Sequence, residues 1–378
     1  MKPRELLSGN EAIARGAWDA GVTAAFGYPG TPSTEILENI VLYKDDIYCE
    51  WAPNEKVAFE AAAGAAFAGA RSIVTMKHVG LNVAADPLMT LAYIGVEGGM
   101  LICVADDPGQ HSSQNEQDSR HFARFAQIPV LEPSDSEEAM LFVKLGLDLS
   151  EKFKTPVMLR TTTRVSHSKS LIVKGERREP RKAQFVRNPE RFVPIPVWGR
   201  VMRRNLDTRI RSLSEEASVS PMNRIEWHDR TRGFIAEGLA YNYLREVFPD
   251  ASVLKLGFAW PYPDKLIKEF AAGVEELYII EENETFLEEH VKSLGIGCRG
   301  RELISGIGEL SVPKILALKA AIEKTTYSPV EPIAEAAALP ARPPVLCPGC
   351  PHRGVFTALG KHDVIVTGDI GCYSLGVF

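Results

Sequence analysis

The sequence lacks several motifs that would assign it to common enzyme classes. No Gly-x-Gly-x-x-Gly motif follows a strand-like segment and no Walker loop is present, so nicotinamide and ATP binding lack their usual signatures. No serine lies in a Gly-x-Ser-x-Gly elbow, the nucleophile turn of many hydrolases. No apolar run approaches the ~20 residues that a membrane span needs, and the N-terminal stretch has no apolar signal segment. These absences predict a protein that is neither secreted nor membrane-spanning.

Cysteine is also scarce, and positive charge is not in excess. Six cysteines in 378 residues are too few for a disulfide scaffold. Cys49 and Cys103 lie in apolar strand-like runs, where a free buried thiol is the usual state, so a reducing, cytoplasmic setting is favoured. The net charge of −6 gives no overall attraction to nucleic acid. Basic residues concentrate between about 164 and 228, but glutamates are interspersed there, and a solvated connector explains such a run more often than a nucleic-acid patch does.

Helix-like and strand-like segments alternate along most of the chain. From residue 8 to about 163 the alternation is typical of a parallel sheet covered on both faces, and a second α/β pattern begins near Arg230. Proline and alanine then alternate without a core pattern. The predicted α/β organisation is a first domain over 1–163, a basic connector over 164–228, a second domain over 229–324, a Pro/Ala linker over 325–344, and the start of a third domain over 345–378.

The loop after the first strand of this predicted sheet is a candidate ligand site, because open α/β sheets bind ligands at the carboxyl ends of their strands. The strand ends in Tyr28, and two prolines and Gly30 fix the loop that follows. Thr31 and Ser33 offer hydroxyl groups, and the helix start behind them favours an anion such as a carboxylate. An ordinary capped helix explains the same residues about as well.

Glu55 is a second candidate, at the start of an Ala/Gly-rich helix and close to Trp51. Burial in a low-dielectric pocket would raise the pKa of this carboxyl and let it share a proton with a ring nitrogen. A first-turn glutamate that stabilises the helix dipole is the alternative, and the helix pattern alone favours it.

Two further polar segments are predicted at the same edge of the sheet. Lys77-His78-Val-Gly-Leu-Asn82 occupies the end of the next strand, although a single histidine is more often structural than catalytic. The loop from Asp106 to Glu116 is longer and more polar than an ordinary βα turn requires, and such loops are often functional. Its carboxylates would suit a metal, but a hydrogen-bonded loop that faces a partner domain is the favoured interpretation.

Three cysteines form the last candidate site. Cys347-Pro-Gly-Cys350 brings two sulfurs to one centre across a tight turn, and Cys372 follows a predicted strand from which a third sulfur would reach the same centre. Thiolates gathered in this way suit zinc or an iron-sulfur cluster, whereas a closed tetrahedral site needs four ligands. The residues alone leave the identity of the metal open.

Taken together, these segments resemble the α subunits of indolepyruvate:ferredoxin oxidoreductases, within the thiamine-diphosphate-dependent 2-oxoacid:ferredoxin oxidoreductases. The resemblance covers nearly all of the chain, and its carriers are Tyr28-Pro-Gly-Thr-Pro-Ser-Thr-Glu35, Asn54-Glu-Lys-Val-Ala with Gly64 to Arg71, Lys77-His-Val-Gly-Leu-Asn82, the Asp106 to Asp118 loop, and Cys347-Pro-Gly-Cys-Pro-His-Arg353. It implies a thiamine-diphosphate-binding fold. The first domain would be the pyrimidine-side domain, the second would be transketolase C-terminal-like, and the third would begin the diphosphate-side domain.

The resemblance also implies roles for the candidate residues. Glu55 matches a glutamate that bonds N1′ of the cofactor's aminopyrimidine, which favours the imino tautomer that takes the thiazolium C2 proton. Thr31 matches a residue that contacts the 2-oxo acid. The expected cofactor-binding residues are Tyr28, Gly30, Glu55, His78 and Asn82. The expected ligands of a [4Fe-4S] cluster are Cys347, Cys350 and Cys372, with a structural cysteine cluster or zinc as the alternatives.

The implied reaction is oxidative decarboxylation of an aryl pyruvate, such as indolepyruvate, with coenzyme A to an acyl-CoA and carbon dioxide, with electrons passed to ferredoxin. The implied partner is a small β subunit in a hetero-oligomer. In relatives a Gly-Asp-x…Asn segment holds Mg²⁺ and the diphosphate, but Gly368-Asp369 lacks the Asn, so the Mg²⁺ site is expected beyond the chain end. We therefore expect a truncated or split subunit that is inactive by itself.

Two other functions stay open. The first is a non-oxidative thiamine-dependent 2-oxo acid decarboxylase or synthase, which shares the helical glutamate but needs no cysteine cluster. The second is an inactive binding subunit that pairs with an active homologue.

Overall fold

The computed structural model describes residues 4–180, 182–329, 340, 343, 345–368 and 371–377. They form two compact units, one up to Thr326 and one from Tyr327 onward, and both predicted α/β domains fall within the first unit. Most of the predicted linker over 325–344, together with Asp369, lies outside the described residues. Among the described helices, none is long and apolar enough to cross a membrane.

The elements are numbered in chain order. The strands are β1 (Arg4–Ser8), β2 (Ala24–Gly27), β3 (Tyr48–Trp51), β4 (Ser72–Lys77), β5 (Met100–Asp106), β6 (Val130–Leu131), β7 (Val157–Thr162), β8 (Lys169–Val173), β9 (Arg224–Glu226), β10 (Asp229–Glu237), β11 (Ala251–Leu256), β12 (Phe258–Trp260) and β13 (Glu276–Ile280). The helices are α1 (Gly9–Asp19), α2 (Thr34–Ile40), α3 (Glu55–Phe67), α4 (His78–Val83), α5 (Ala85–Ile94), α6 (Arg120–Ala126), α7 (Ser136–Phe153), α8 (Thr163–His167), α9 (Pro189–Phe192), α10 (Pro196–Val219), α11 (Leu239–Val247), α12 (Asp264–Ala272), α13 (Phe286–Ser293), α14 (Val312–Glu323) and α15 (Pro351–Leu359).

The first sheet has seven strands in the order β12-β6-β7-β5-β4-β2-β3, and all neighbours are parallel except β12 and β6. Strands β4, β5 and β7 are buried along their whole lengths, which explains their nearly unbroken apolar sequences. One apolar core packs α1, α2 and α7 on one face, and a second packs α3, α5 and α6 on the other. The predicted parallel sheet with two covered faces is confirmed.

The second sheet has four strands in the order β13-β10-β11-β9, with β9 antiparallel to β11. Strands β11 and β12 are separated by a single residue, Gly257. A side chain there would meet the Phe142 ring at 2.6 Å and the Met222 carbonyl at 2.7 Å, so only glycine fits the crossing. Beyond it, β12 leaves the second sheet and pairs antiparallel with β6 of the first.

The segment over 164–228, predicted as a basic connector, contains most of α8 together with β8, α9, the 24-residue helix α10 and β9. The sequence pattern missed α10 because its buried stripe is only Met202, Leu206, Leu213 and Ala217, spaced by helical turns among charged residues. The stripe packs α10 against the first unit, where Leu213 and Ala217 join the core beside α7.

The two strand cysteines differ in environment. Cys103 is fully buried in β5, as predicted, and burial raises the pKa of its thiol. Cys49 lies on β3 at the edge of the sheet and is only half-buried, because one side of an edge strand has no neighbouring strand. Burial still raises the pKa of the Cys49 thiol to about 11, so it is protonated at neutral pH.

Candidate functional site

The candidate site lies at the carboxyl-terminal edge of the seven-stranded sheet. Strands β3, β2, β4, β5 and β7 run parallel and end at this edge. The segments that follow them contain the candidate residues of the first unit, as the sequence predicted. This is the edge at which open α/β sheets bind ligands.

The loop after β2 is fixed by its own hydrogen bonds. The Ser33 hydroxyl donates to the Gly30 carbonyl at 2.8 Å, and the Gly30 amide donates to the Thr34 hydroxyl at 2.8 Å. From α1, the Asn10 side-chain amide donates to the Pro32 carbonyl at 2.8 Å. Ser33 is fully buried, so its hydroxyl holds the loop and is not offered to a ligand, which corrects the sequence-based expectation.

Tyr28, Pro29 and Thr31 are the exposed residues of this loop, and two of them, Tyr28 and Thr31, are candidate site residues. Tyr28 is 38% exposed, and Thr31 also faces outward. The Thr31 carbonyl accepts a hydrogen bond from the Ser112 hydroxyl at 3.3 Å, which ties the loop after β2 to the loop after β5.

Glu55 is the first residue of α3, and Asn54 caps that helix by accepting from the Val57 amide at 3.0 Å. The Glu55 side chain packs against Gly80 of α4. A β-carbon on Gly80 would lie 2.6 Å from Cγ and 2.8 Å from Cδ of Glu55. Burial raises the pKa of the Glu55 carboxyl, although its own backbone amide acts in the opposite direction. The raised pKa favours a protonatable acid over a carboxylate that stabilises the helix dipole, because the dipole alone would lower it.

Lys77 ends β4 and is 9% exposed. Its Nζ donates to the Ser112 carbonyl at 2.8 Å, and its stem crosses Gly30, where an added β-carbon would lie 3.0 Å from Lys77 Cβ. Burial lowers the pKa of Lys77, and the nearby charge of Asp107 partly opposes that effect. The sequence placed Lys77 in a candidate segment but gave it no role. Its position at the end of a central strand is the signal that could have selected it.

His78 and Asn82, predicted at a strand end, lie instead on α4, because the strand stops at Lys77. His78 is buried, and its Nε2 lies 3.3 Å from the Asn115 carbonyl oxygen. Its Nδ1 is buried and finds no hydrogen-bond partner among the described residues, so it can bond a ligand atom. Asn82 is exposed one turn further along α4.

The loop after β5 is held by Asp107. Its carboxylate accepts from the Ser112 amide at 2.8 Å, the Ser113 hydroxyl at 2.6 Å and the Thr163 hydroxyl at 2.7 Å. Burial would raise the pKa of Asp107, but these bonds outweigh it and the pKa is lowered. The carboxylate is thus committed to ordering its own loop, as the favoured interpretation of this segment expects.

The far side of this loop faces the second sheet. The His111 ring nitrogen lies 3.1 Å from a Glu309 carboxylate oxygen, and the Asn283 side-chain amide donates to the Gln117 carbonyl at 3.2 Å. The loop therefore touches both α/β regions of the first unit.

Two fully buried arginines join these regions beneath the loop. Arg160 of β7 bonds carboxylates of the first α/β region, and Arg120 of α6 also bonds Glu237 at the end of β10 and Glu281 just after β13. The carboxylates that these arginines contact are Asp106, Asp118, Glu132, Glu237 and Glu281. Burial raises the pKa of Glu237 to about 8, although the charge of Arg120 opposes it. The sequence gave no sign of this network, because its members lie far apart along the chain.

The predicted cysteine site lies in the second unit. The Cys350 amide donates to the Cys347 carbonyl at 3.1 Å across a turn in which Gly349 has φ +75°. Cys372 begins a 3₁₀ helix over Cys372–Val377. Within the described ranges, no three His, Cys, Asp or Glu residues lie close enough together to hold a metal ion. The predicted turn is present, and the three-cysteine ligand set stays a prediction.

Comparisons with known proteins show which family the chain belongs to. The chain is 43% identical to the indolepyruvate oxidoreductase subunit IorA of Methanothermobacter marburgensis, over 99% of this chain and 64% of that protein. It thus spans less than two thirds of the length of this curated relative. A solved 2-oxoglutarate:ferredoxin oxidoreductase from Magnetococcus marinus has a similar fold, with a TM-score of 0.70 at 18% identity over 85% of this chain and 65% of that one.

A more distant similarity is to a solved split gene transketolase in its inactive beta4 tetramer. The TM-score is 0.55 at 13% identity over 84% of this chain and 98% of that one. Residues 15–208 match the thiamine-diphosphate-binding domain of the pyruvate flavodoxin/ferredoxin oxidoreductases. This match covers the edge with Glu55, the loop after β2 and the loop after β5, and it confirms the predicted thiamine-diphosphate-binding fold. The chain therefore belongs to the pyruvate flavodoxin/ferredoxin oxidoreductase family.

Proposed function

We propose that this chain is the part of an indolepyruvate-type 2-oxoacid:ferredoxin oxidoreductase that activates thiamine diphosphate. The observation that carries the proposal is Glu55, a half-buried carboxyl with a raised pKa at the ligand-binding edge of the sheet. The 43% identity to an indolepyruvate oxidoreductase subunit supports the choice of substrate. The reaction is oxidative decarboxylation of an aryl pyruvate with coenzyme A, giving an acyl-CoA and carbon dioxide.

The residues of the edge fit the cofactor's aminopyrimidine. Glu55 would share a proton with a ring nitrogen of the bound cofactor, because burial raises the pKa of its carboxyl and so favours the protonated form. The unpartnered Nδ1 of His78 and the exposed Tyr28 face the same edge, with Gly30 and Asn82 as the remaining contacts. Thr31, on the loop after β2, would contact the 2-oxo acid. When bound, thiamine diphosphate supplies the carbanion chemistry of decarboxylation.

The proposed enzyme also needs metal ions, a diphosphate site and a partner subunit away from this edge. Mg²⁺ and the cofactor diphosphate are held outside the described residues. The cysteines Cys347, Cys350 and Cys372 ligate a [4Fe-4S] cluster that passes electrons to ferredoxin. A small β subunit completes a cytoplasmic hetero-oligomer, and the two α/β regions of the first unit correspond to the pyrimidine-side domain over 1–163 and the transketolase C-terminal-like domain over 229–324.

Reduction of a viologen dye by the complete two-subunit oxidoreductase tests the proposal, with indolepyruvate, coenzyme A and thiamine diphosphate supplied. We expect activity that depends on thiamine diphosphate and falls on the order of 10²- to 10⁴-fold in Glu55→Gln, because a positioned acid-base group contributes about that much. Glu60→Gln is the matched control, since Glu60 lies on the exposed side of the same helix.

Three results would contradict the proposal. An undiminished rate in Glu55→Gln would remove Glu55 from its role. Release of an aldehyde without viologen reduction would assign a non-oxidative decarboxylase. A complete protein with no affinity for thiamine diphosphate, but with a stable complex with an active homologue, would assign a binding subunit.

A further inference from the structure

We propose that Lys77 supplies the positive charge that anchors the carboxylate of the 2-oxo acid. The proposal rests on the proposed function and adds to it the residue that distinguishes a charged from a neutral substrate. Lys77 is the last residue of β4, at the centre of the ligand-binding edge. It stands between the loop after β2 and the loop after β5.

The position of the ammonium group is fixed from both loops. The Ser112 carbonyl accepts from Lys77 Nζ at 2.8 Å, and the Ser112 hydroxyl donates to the Thr31 carbonyl at 3.3 Å, so one residue links Lys77 to the Thr31 loop. Three residues beyond Lys77, Gly80 contacts the Glu55 side chain. The ammonium group therefore lies close to the residues proposed to hold the substrate and the cofactor ring.

Gly30 allows the Lys77 side chain to cross the loop after β2. A β-carbon on Gly30 would lie 3.0 Å from Lys77 Cβ and 3.4 Å from Lys77 Cδ, so a side chain there would push against the lysine stem. With glycine, the stem lies across the loop and carries the amine to the Ser112 carbonyl. Besides its expected role in cofactor binding, Gly30 thus leaves room for the Lys77 side chain.

The charge of Lys77 is not neutralised within the described residues. An ammonium group has three donors, and one of them goes to a carbonyl oxygen. No described carboxylate lies within ion-pair distance of Lys77 in this structure. The nearest acidic influence is Asp107, whose oxygens already accept from Ser112, Ser113 and Thr163.

A buried, unneutralised cation favours an anionic ligand, because burial of an unpaired charge is costly and an opposite charge removes much of that cost. Arg164, the neighbouring arginine at this edge, is not available for this role. Both sides of its guanidinium fork bond the Glu309 carboxylate at 2.6 Å. Of these two cations, Lys77 is therefore the one that can pair with a substrate carboxylate.

Binding of a non-reacting substrate analogue to the complete oxidoreductase tests this inference. The probes are indole-3-lactate, which keeps the carboxylate but has no 2-oxo group, and its primary amide, which is neutral. In Lys77→Met we expect the affinity for the lactate to fall on the order of 10- to 100-fold, as for a lost charged hydrogen bond, with amide binding changed less than about 2-fold. The KM for indolepyruvate should rise by a similar factor, with a smaller change in kcat.

Further variants separate charge from structure. Lys77→Gln keeps a donor for the Ser112 carbonyl without the charge and should lose lactate affinity as Lys77→Met does, while Lys77→Arg should retain most of it. Lys56→Met is the matched control, because Lys56 is a more exposed lysine that is paired with Asp86. We expect it to leave both affinities unchanged.

The outcomes distinguish the two proposals. Equal losses for the lactate and the amide would show that Lys77 only orders the loop, and unchanged lactate affinity in both neutral variants would overturn the inference while the oxidoreductase remained active. A wild-type complex without thiamine-dependent turnover would overturn the proposed function and this inference together.

Discussion

Replacing Gly80 by alanine tests whether Glu55 must occupy its half-buried position. Gly80 lies within α4, without the positive φ that would strain alanine. Its β-carbon would lie 2.6 Å from Cγ and 2.8 Å from Cδ of Glu55, whereas ordinary contacts begin at 3.4 Å. The glutamate side chain is the flexible partner in this contact, so we expect it to move outward.

The structure allows the effects on stability and on cofactor activation to be separated. Alanine in place of glycine within a helix favours folding by about 0.5–1 kcal/mol. Moving Glu55 outward costs little, because burial already raises the pKa of its carboxyl and so disfavours the charged form. The free energy of unfolding should therefore change by less than about 1 kcal/mol. Displacing an acid-base group by about 1 Å should nevertheless lower turnover on the order of 10²-fold or more.

The assay compares Gly80→Ala with Gly64→Ala in the complete oxidoreductase. Gly64 lies in α3 with nothing within 4 Å of an added β-carbon, so its alanine variant isolates the effect of helix propensity. Thermal unfolding midpoints and viologen reduction are measured for both variants. Full activity in Gly80→Ala would refute the proposed contact between Gly80 and a catalytically required Glu55. A large loss of stability would refute the argument that the glutamate is the partner that moves.

Three further outcomes are expected. Arg160→Met should lower the free energy of unfolding by about 3–5 kcal/mol in urea titrations, because it leaves buried carboxylates without their cation, whereas the exposed Arg211→Met should change it by less than about 0.5 kcal/mol. Burial raises the pKa of the Glu282 carboxyl to about 7 from 4.5, although a hydrogen bond from a backbone amide acts in the opposite direction. The folded protein therefore keeps this proton at pH values at which the unfolded chain has lost it, and its free energy of unfolding falls as the pH rises from 4.5 to about 7. Glu282→Gln should remove that part of the pH dependence, at most about 3 kcal/mol, and an unaltered profile would contradict the assignment. Anaerobically purified complete protein should lose iron and sulfide in Cys350→Ser but not in Cys298→Ser, and zinc without sulfide in the wild type would contradict the cluster.

The parallel sheet and its ligand-binding edge could be predicted from sequence because each central strand is a short apolar block followed directly by polar residues. The crossing at Gly257 could not be predicted, because the residues that exclude a side chain there come from α7 and from the turn before β9. Helix α10 was missed for a related reason, since only four of its residues are buried. Local sequence patterns report what a segment buries, but not which distant segment it meets.

The same limit explains why the sequence made Glu55 a candidate site residue and gave Lys77 no role. Glu55 could be selected from its position at the start of a small-residue helix, although only the structure shows that Gly80 lies against it. The significance of Lys77 depends on the Ser112 carbonyl, which is 35 residues away along the chain. The position of Lys77 at the end of a central strand could have made it a candidate, but its contact with the loop after β5 has no local sign in the sequence.

The loop after β5 joins the candidate site to the second α/β region. At its start, Asp107 positions Ser112, which bonds Lys77. At its end, Asp118 bonds Arg120, which also binds Glu237, the last residue of β10 in the second sheet. The loop is therefore held at one end by the ligand-binding edge and at the other by buried charges that both regions share. It follows that the second α/β region acts on the site through this loop, because it helps to fix the end of the loop that orders Lys77.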